Sequence, residues 1–305
     1  MTSSAIPLPR WAALRATLAA YLALTKPRII ELLLVTTLPA MLLAANGWPP
    51  TGLVAVTLIG GAAAAGSANV LNCFLDRDID AVMHRTARRP LNGGRVSPRG
   101  AVAFGSALAV AAVGLLWWAT TPLAAALTAA AIVVYVLGYT VILKRRTSSN
   151  IVWGGSAGCM PTLIGWAAVT GRLALAPFVL FAIVFFWTPP HFWALAIRFR
   201  EDYAAAGVPM LPVVAPARTV VHRMAVYTWL TVATSLVLWP VAHTGLLYAG
   251  AAVVLGGVFV REVELLRRQV ARGAPLRPMR VFHTSISYLS ALFLCLAVDV
   301  LLRSW

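Results

Sequence analysis

Three polar residues, Asn72, Asp76 and Asp80, stand four positions apart behind an apolar run over 52–71 that contains no charged side chain. Residues four apart share one face of an α-helix, so these side chains predict a polar stripe. Two carboxylates one turn apart repel each other unless a cation lies between them, and Mg²⁺ held by one or two carboxylates plus substrate phosphates is the expected form. The alternative is simple pairing with nearby arginines at the membrane surface, namely Arg77, Arg85 or Arg88.

A second acidic group and a set of arginines strengthen the first interpretation. Glu201 and Asp202 lie in the segment "IRFREDYAAAG", and Arg85, Arg88 and Arg89 follow the first stripe. Five of the nine acidic residues in the chain belong to these two segments. Guanidinium groups bind phosphate oxygens through two parallel hydrogen bonds. The two acidic groups and their arginines therefore predict a site for a metal-bridged diphosphate.

The elements that position these residues must be membrane helices. The 305 residues are 60% hydrophobic and 11% charged, with a mean hydropathy of +0.83, outside the range of soluble domains. Since roughly 18 apolar residues suffice for a crossing, we expect an all-α, polytopic bundle of about nine helices around a central cavity. We treat residues 1–305 as a single membrane domain. The expected spans are 29–46, 52–72, 101–119, 123–143, 151–169, 175–197, 224–242, 243–260 and 283–302.

The basic residues indicate an orientation. The net charge is +16, but every Lys and Arg except Arg172 and Arg303 falls on one side of the expected bundle. The positive-inside rule assigns that side to the cytoplasm, so the charge reflects topology and a nucleic-acid partner is not expected. Both acidic groups face this side. Residues 1–25 form a cytoplasmic segment, with a surface-lying amphipathic helix expected over 12–24.

Two further features concern the interior of the spans. Pro189 and Pro190 lie within "FFWTPPHFWALA" and are expected to interrupt the hydrogen-bond ladder of their helix, which would place this span beside a cavity. Cys73, Cys159 and Cys295 have no metal-site or disulfide spacing and are expected to pack as small apolar residues.

A diphosphate site embedded in a membrane suits a substrate with a long apolar tail, which is a polyprenyl diphosphate. Mg²⁺ would stabilise the departing pyrophosphate, and apolar spans would shield the allylic carbocation from water. The acceptor would be a second lipophilic molecule with an electron-rich carbon.

At this point the motifs resemble a known family. The segment 72–91 is similar to the N-x-x-x-D-x-x-x-D signature of the UbiA superfamily of intramembrane prenyltransferases. A longer series of motifs, from about residue 24 to residue 292, resembles the protoheme IX farnesyltransferase (heme O synthase) family within it. These motifs are "LTKPRI", "DRDID", "M-x-RT-x-x-RPL", "YT-x-x-LKRRT-x-x-NIV-x-GG-x-AG-x-x-P", "IGWAAVTG", "WTPPHFWALA", "DY-x-x-AG-x-PMLPV" and "FH-x-S-x-x-YL".

The resemblance implies a Mg²⁺-dependent transfer of farnesyl from farnesyl diphosphate to the vinyl group of heme B, giving heme O and diphosphate. It implies an enzyme in the cell inner membrane, with heme A synthase as a partner. The implied catalytic residues are Asn72, Asp76, Asp80, Arg85 and Lys144. The implied diphosphate ligands are Arg85, Arg88, Lys144 and Arg145, and the implied metal ligands are Asn72, Asp76, Asp80, Glu201 and Asp202. Where many relatives carry several aspartates in the second motif, this chain has only "REDY".

A heme substrate directs attention to histidine. His191 follows the paired prolines and His283 opens the last span, and both lie in family motifs. A neutral imidazole can ligate iron, so at least one is expected to contact heme. A hydrogen-bonded structural role is the alternative for each. Lys26 and Arg28, at the cytoplasmic edge, are expected to meet anionic lipid or heme propionates.

Two other functions compete with this one. A UbiA-type prenyltransferase acting on an aromatic quinone precursor would share the architecture, but the "WTPPHFWALA" and "PMLPV" motifs resemble the heme branch. A membrane transporter would use the proline-broken span and the intramembrane polar groups as its substrate path. The sequence has no obvious symmetry between its halves of the kind that transporters show.

Overall fold

The computed structural model describes residues 10–304, and every element of secondary structure in this range is a helix, which confirms the predicted all-α class. A long π-helix, Val134–Leu143, continues α6. The α-helices are α1 (Arg10–Thr25), α2 (Pro27–Ala45), α3 (Thr51–Leu75), α4 (Arg77–Val82), α5 (Pro98–Ala119), α6 (Pro122–Val133), α7 (Asn150–Gly154), α8 (Ser156–Thr170), α9 (Leu175–Arg198), α10 (Arg200–Ala205), α11 (Leu211–Val214), α12 (Ala217–Ala242), α13 (Leu246–Ala271) and α14 (Pro278–Arg303).

Eight helical segments of the described chain are long and apolar enough to cross a membrane, so the chain is a multi-pass membrane protein. They are α2, α3, α5, α6 with the π-helix, α9, α12, α13 and α14. Two of them begin with the same local signal. The hydroxyls of Ser97 and Thr121 accept hydrogen bonds from the backbone N–H groups of Gly100 and Ala124, and proline occupies the first helical position in both helices. These caps satisfy N–H groups that a helix start leaves unpaired.

The predicted span over 151–169 is made by two shorter helices in tandem, α7 and α8. At its start, Asn150 Nδ2 donates to the carbonyl of Lys144 over 3.1 Å. Near its end, the carbonyl of Ala167 accepts from Thr121 Oγ1 over 2.9 Å. Because α6 and the π-helix run from Thr121 towards Lys144, the tandem pair runs antiparallel to them and returns the chain across the bundle.

The hydrogen-bond ladder lost at Pro189 and Pro190 does not end the helix. Helix α9 continues through both prolines, which are buried. Proline removes one hydrogen bond and crowds the preceding turn, but its fixed φ is compatible with a helix. The flanking residues Ile183, Trp187 and Ala194 are buried in the main hydrophobic core, so tertiary packing holds the helix together where its own hydrogen bonds are missing.

Small residues bring the helices close together. The side chain of Leu116 lies where a Cβ on Gly60 would stand, only 2.8 Å away, and Leu71 packs against Gly105 in the same way at 2.9 Å. Ser67 Oγ donates to the carbonyl of Gly105 over 2.7 Å. Helices α3 and α5 therefore pack closely, with side chains of one helix against glycine backbone of the other, as small residues permit in membrane proteins.

The N-terminal helix is slightly longer than expected and its outward face is apolar. Leu14, Leu18 and Leu22 lie one turn apart and are about three-fifths exposed, whereas Ala20 and Leu24 are buried. The buried side packs with residues of α3 such as Val70. An exposed leucine stripe on a helix next to the bundle fits contact with lipid.

Candidate active site

The stripe of Asn72, Asp76 and Asp80 forms where α3 ends, but one detail of the prediction is wrong. A single helix does not carry all three residues, because α3 ends at Leu75 and α4 begins at Arg77. The chain nevertheless keeps helical register across the junction. Asp76 N donates to Asn72 O over 2.9 Å, and Asp80 N donates to Asp76 O over 2.8 Å. All three side chains are buried, so they form the expected stripe across a break.

Asn72 joins the stripe to the π-helix and to the junction between α1 and α2. Its Nδ2 group donates to Asp76 Oδ2 over 2.7 Å and to Thr140 Oγ1 over 3.1 Å. Its Oδ1 atom accepts from Lys26 Nζ over 2.8 Å. Since these bonds use both ends of the amide, Asn72 orients the neighbouring carboxylate and is itself held in one orientation.

Asp76 is completely buried and pairs with Lys144, whose Nζ lies 2.5 Å from Asp76 Oδ2. Arg145 is more distant, with a guanidinium nitrogen 3.9 Å from Oδ1. Among the described residues Oδ1 has no hydrogen-bond partner. A buried carboxylate oxygen left unpaired is costly, so this atom is suited to accept a further positive group.

The π-helix explains how Lys144 reaches the stripe. The backbone N–H of Lys144 donates to the carbonyl of Tyr139, five residues earlier, over 2.8 Å. Thr140 repeats the spacing, since its hydroxyl donates to the carbonyl of Tyr135 over 3.0 Å. π-Helical turns are rare and occur often at functional sites. Here the wider turn ends directly at the lysine that pairs with Asp76.

Arg145 and Asp78 form an ion pair on the outer side of the stripe. Two guanidinium nitrogens each lie 2.7 Å from an Asp78 oxygen. These hydrogen bonds lower the pKa of Asp78 from 3.8 to about 2, and burial opposes the shift only in part. The pair borders a surface cavity of about 340 Å³ that Ala206 and Gly207 also line. Asp78 thus lies away from the buried stripe.

The arginines that follow the stripe take different positions. Arg89 donates to the Asp80 carboxylate in a partly buried ion pair. The backbone N–H of Arg85 donates to Asp202 Oδ2 over 3.2 Å, and its guanidinium lies 5.6 Å from the centre of the Phe199 ring. Arg88 is exposed. Of these three arginines, Arg89 is therefore the one that pairs with a buried carboxylate; the sequence grouped it with Arg85 and Arg88, but the family resemblance did not name it.

The second acidic motif is divided between two environments. Asp202 is buried and joined to the Arg85 backbone, which brings the two acidic segments together. Glu201 is exposed. Among residues 10–304, no cluster of three or more His, Cys, Asp or Glu side chains is arranged to hold a metal by itself. Any metal bound at Asp76 and Asp80 would thus need oxygen ligands from elsewhere.

Lys26 is a site residue that the sequence suggested only for lipid or heme propionates. It lies between α1 and α2 with a left-handed backbone, φ 55°, and its ammonium group points to Asn72. Burial lowers the pKa of Lys26 to about 8, and the charges of Arg89 and Lys144 act in the same direction. The sequence feature that could have indicated this role is the Lys26-Pro27 pair, which lies between two helices on the same side of the bundle as the acidic stripe.

The two predicted histidines differ sharply. The ring of His191 is buried between Trp187 and Phe282, with ring centres 4.2 and 4.5 Å away and nearly parallel planes. Its Nδ1 atom lies 2.8 Å from Ser285 Oγ. His283 is exposed and meets Phe282 edge to face. The two histidines therefore flank the same phenylalanine, one inside the bundle and one outside.

Comparison with known proteins identifies the family. The UbiA prenyltransferase family model matches residues 33–286, most of the chain. The chain belongs to the UbiA prenyltransferase family. It is accordingly an intramembrane prenyltransferase enzyme.

Relatives at high identity extend the UbiA match over nearly the whole chain. A protein from Nocardioides sp. named protoheme IX farnesyltransferase is 56% identical over 294 residues, covering 95% of this chain and 94% of that protein. Protoheme IX farnesyltransferase 1 of Saccharopolyspora erythraea is 55% identical over 297 residues, covering 97% and 94%.

A solved structure of a UbiA homolog from Archaeoglobus fulgidus, bound to GPP and Mg²⁺, superposes with a TM-score of 0.67 at 17% identity. The match covers 92% of this chain and 99% of that chain. At this identity the match shows the shared UbiA fold.

Proposed function

We propose that this UbiA-family enzyme transfers the farnesyl group of farnesyl diphosphate to a vinyl group of heme B, giving heme O and diphosphate. The observation that carries the proposal is the buried Asp76 carboxylate, held by Asn72 and Lys144 with one oxygen unpaired. The names of the relatives that are 55% to 56% identical supply the acceptor.

The residues present fit a Mg²⁺ ion that is shared with substrate. Magnesium prefers oxygen ligands and uses one or two carboxylates together with phosphate oxygens, so it needs no complete protein cage. The unpaired Oδ1 of Asp76 is a suitable first ligand. We assign the metal-binding role to Asn72, Asp76 and Asp80, joined from the second motif by Asp202 and Glu201. When bound, Mg²⁺ neutralises charge that develops on the departing diphosphate.

The cations around the stripe are the proposed diphosphate ligands. Lys144, Arg145, Arg85 and Arg88 are assigned to phosphate oxygens, and Lys26 and Arg89 add charge beside them. In the described structure Lys144 and Arg145 pair with Asp76 and Asp78. A metal-bound diphosphate brings both signs of charge, so it can replace these contacts without leaving either partner unpaired.

Breaking the carbon–oxygen bond at the prenyl carbon leaves an electron pair on diphosphate oxygen, and the π electrons of the heme vinyl group form the new carbon–carbon bond. Water then adds to the cation left on the other vinyl carbon and loses a proton, which supplies the hydroxyl of heme O. Lys144 and Arg145 stabilise the charge on the leaving group, which is a preorganised electrostatic role. Buried apolar side chains near the acidic segments, Ile79, Met83, Ile151 and Met210 among them, exclude water from the cationic prenyl group.

The heme is proposed to lie beside α9 and the start of α14, where His191 and His283 are found. His191 precedes the cytoplasmic end of α9 at Arg198 by seven residues, about 10 Å along a helix. The acidic stripe and the histidines thus occupy the same half of the bundle, which suits two substrates that must meet.

The orientation is proposed from charge. The site residues lie with the basic connections, so the N-terminus and the active site are assigned to the cytoplasmic side of the cell inner membrane. A product that stays in the membrane suits direct transfer to heme A synthase, which is the proposed partner.

The test is an assay with purified protein in detergent, heme B, farnesyl diphosphate and Mg²⁺. A heavier heme, separated by chromatography and identified by mass, is the expected product. Asp76→Asn should abolish it, whereas Glu264→Gln, which changes a carboxylate paired with Arg267 on α13, should not. Supplying an aromatic quinone precursor in place of heme tests the alternative acceptor, and farnesylation of that compound alone would refute the proposal.

A further inference from the structure

Ser285 carries the hydroxyl that contacts His191, and its single proton is already used. Ser285 Oγ donates to the carbonyl of Phe282, three residues earlier, over 2.6 Å. A serine hydroxyl has one donor and two acceptor sites. At its 2.8 Å contact with His191 Nδ1, Ser285 Oγ must therefore accept the hydrogen bond.

This proton count determines the tautomer of His191. If Ser285 accepts, Nδ1 carries the hydrogen, and in a neutral imidazole Nε2 then holds the free lone pair. Among residues 10–304 no hydrogen bond engages Nε2, and this nitrogen is not one of the fully buried side-chain atoms that lack a partner, so it keeps some access although only 6% of the residue is exposed. A ring nitrogen that has a free lone pair and remains accessible is available to a ligand.

The ring is also fixed in direction. Trp187 and Phe282 cover its two faces with interplanar angles of 20° and 24°. Trp187 Nε1 donates to the backbone carbonyl of Ser285 over 2.7 Å, which ties α9 to α14 at this level. Phe192 meets the ring at nearly a right angle, with 5.0 Å between ring centres. With both faces covered and Nδ1 bonded, Nε2 is the ring nitrogen left to bind.

We propose that His191 ligates the iron of bound heme through Nε2, and that Ser285 is the positioning residue that holds His191 in the required tautomer. This inference rests on the proposed function, because it takes heme as the acceptor substrate. Metal-bound histidines generally donate their other N–H group to an oxygen acceptor, which orients the ring and increases its basicity. The exposed His283 has no such bond within the described chain.

The experiment uses the full-length protein in detergent with heme B and no prenyl substrate. The absorption spectrum and the iron–histidine stretching band of the ferrous complex are recorded for wild type, His191→Ala, His283→Ala, Ser285→Ala and Ser285→Thr. We expect His191→Ala to lose the histidine-ligated spectrum and to regain it with added imidazole, while His283→Ala keeps it.

Ser285→Ala should weaken heme binding by about tenfold or more and lower the stretching frequency, since the acceptor for Nδ1–H is lost. Ser285→Thr should restore both values because it retains a hydroxyl. Ser287→Ala, an exposed serine on the same helix, is the matched control. Melting temperature separates a folding defect from a ligation defect, and Ser285→Thr keeps the test valid if Ser285→Ala unfolds.

Three results would overturn the inference. An unchanged spectrum in His191→Ala would show that His191 is not the iron ligand. Wild-type heme affinity and stretching frequency in Ser285→Ala would show that Ser285 does not position His191. Neither result affects the farnesyl transfer proposal, which fails separately if wild-type protein makes no heavier heme. Absence of heme binding by folded wild-type protein would reject both.

Discussion

Lys144 Nζ lies 2.5 Å from Asp76 Oδ2, and the two side chains, 12% and 1% exposed, form a buried ion pair at the end of α3. The pair links the π-helix to the acidic stripe and holds a cation where a leaving diphosphate would develop charge. Replacing Lys144 alone should therefore lower both stability and activity, whereas replacing both partners should lower activity with a smaller loss of stability.

Lys144→Met should destabilise the protein by about 3–5 kcal/mol, because a buried carboxylate loses its main counter-charge. The double variant Lys144→Met with Asp76→Asn should recover much of that loss but remain inactive. Thermal unfolding in detergent and product formation are the two measurements. Arg261→Met, at an exposed pair with Glu262, serves as control. If Lys144→Met were as stable as wild type, Lys144 would not be the group that neutralises the charge of Asp76.

Asp78→Asn should change stability by less than about 1 kcal/mol, because the Arg145 pair is solvent-exposed and such pairs contribute little. The pKa of Asp78 is depressed from 3.8 to about 2. The stability from this pair is therefore present above pH 3.8 and is lost as pH falls through about 2. Unfolding measured from pH 8 to pH 5 should give a constant difference between Asp78→Asn and wild type. A difference that varies in this window would mean that Asp78 titrates there.

Lys26→Gln should raise the KM for farnesyl diphosphate about tenfold, equivalent to about 1.4 kcal/mol, because a cation beside Asn72 is lost. Steady-state kinetics with saturating heme B measure the effect. Arg28→Gln, an exposed cation two residues away, should leave KM unchanged. Equal effects from both variants would indicate general membrane electrostatics instead of a contact within the site.

Gly165→Ala should destabilise the bundle by about 1–3 kcal/mol, the range for overpacking. An added Cβ would stand 2.8 Å from the backbone carbonyl oxygen of Thr37, so α8 and α2 would have to separate. Gly114→Ala is the matched variant, since a Cβ there meets nothing within 4 Å. Replacing that glycine should be neutral or slightly stabilising, as alanine favours a helix. Equal changes in the melting temperatures of the two variants would contradict this account of the packing.

The amino-acid sequence by itself determined the features that depend on local periodicity and composition. Hydropathy predicted membrane helices because apolar runs of span length have few other stable solutions. The four-residue spacing of Asn72, Asp76 and Asp80 predicted one polar stripe, and it survives the break at Asp76 because two backbone hydrogen bonds preserve the register. The family followed from long motifs in order along the chain.

Only the tertiary structure decided which charged groups meet. Arg88 and Arg89 are equivalent in sequence, yet Arg89 pairs with Asp80 while Arg88 is exposed. Lys26 reaches Asn72 across 46 positions, and Ser285 reaches His191 across 94. Spacing along one helix reports which residues share a face, but it carries no information about which distant helix lies opposite. That choice depends on packing, which also keeps α9 helical through Pro189 and Pro190.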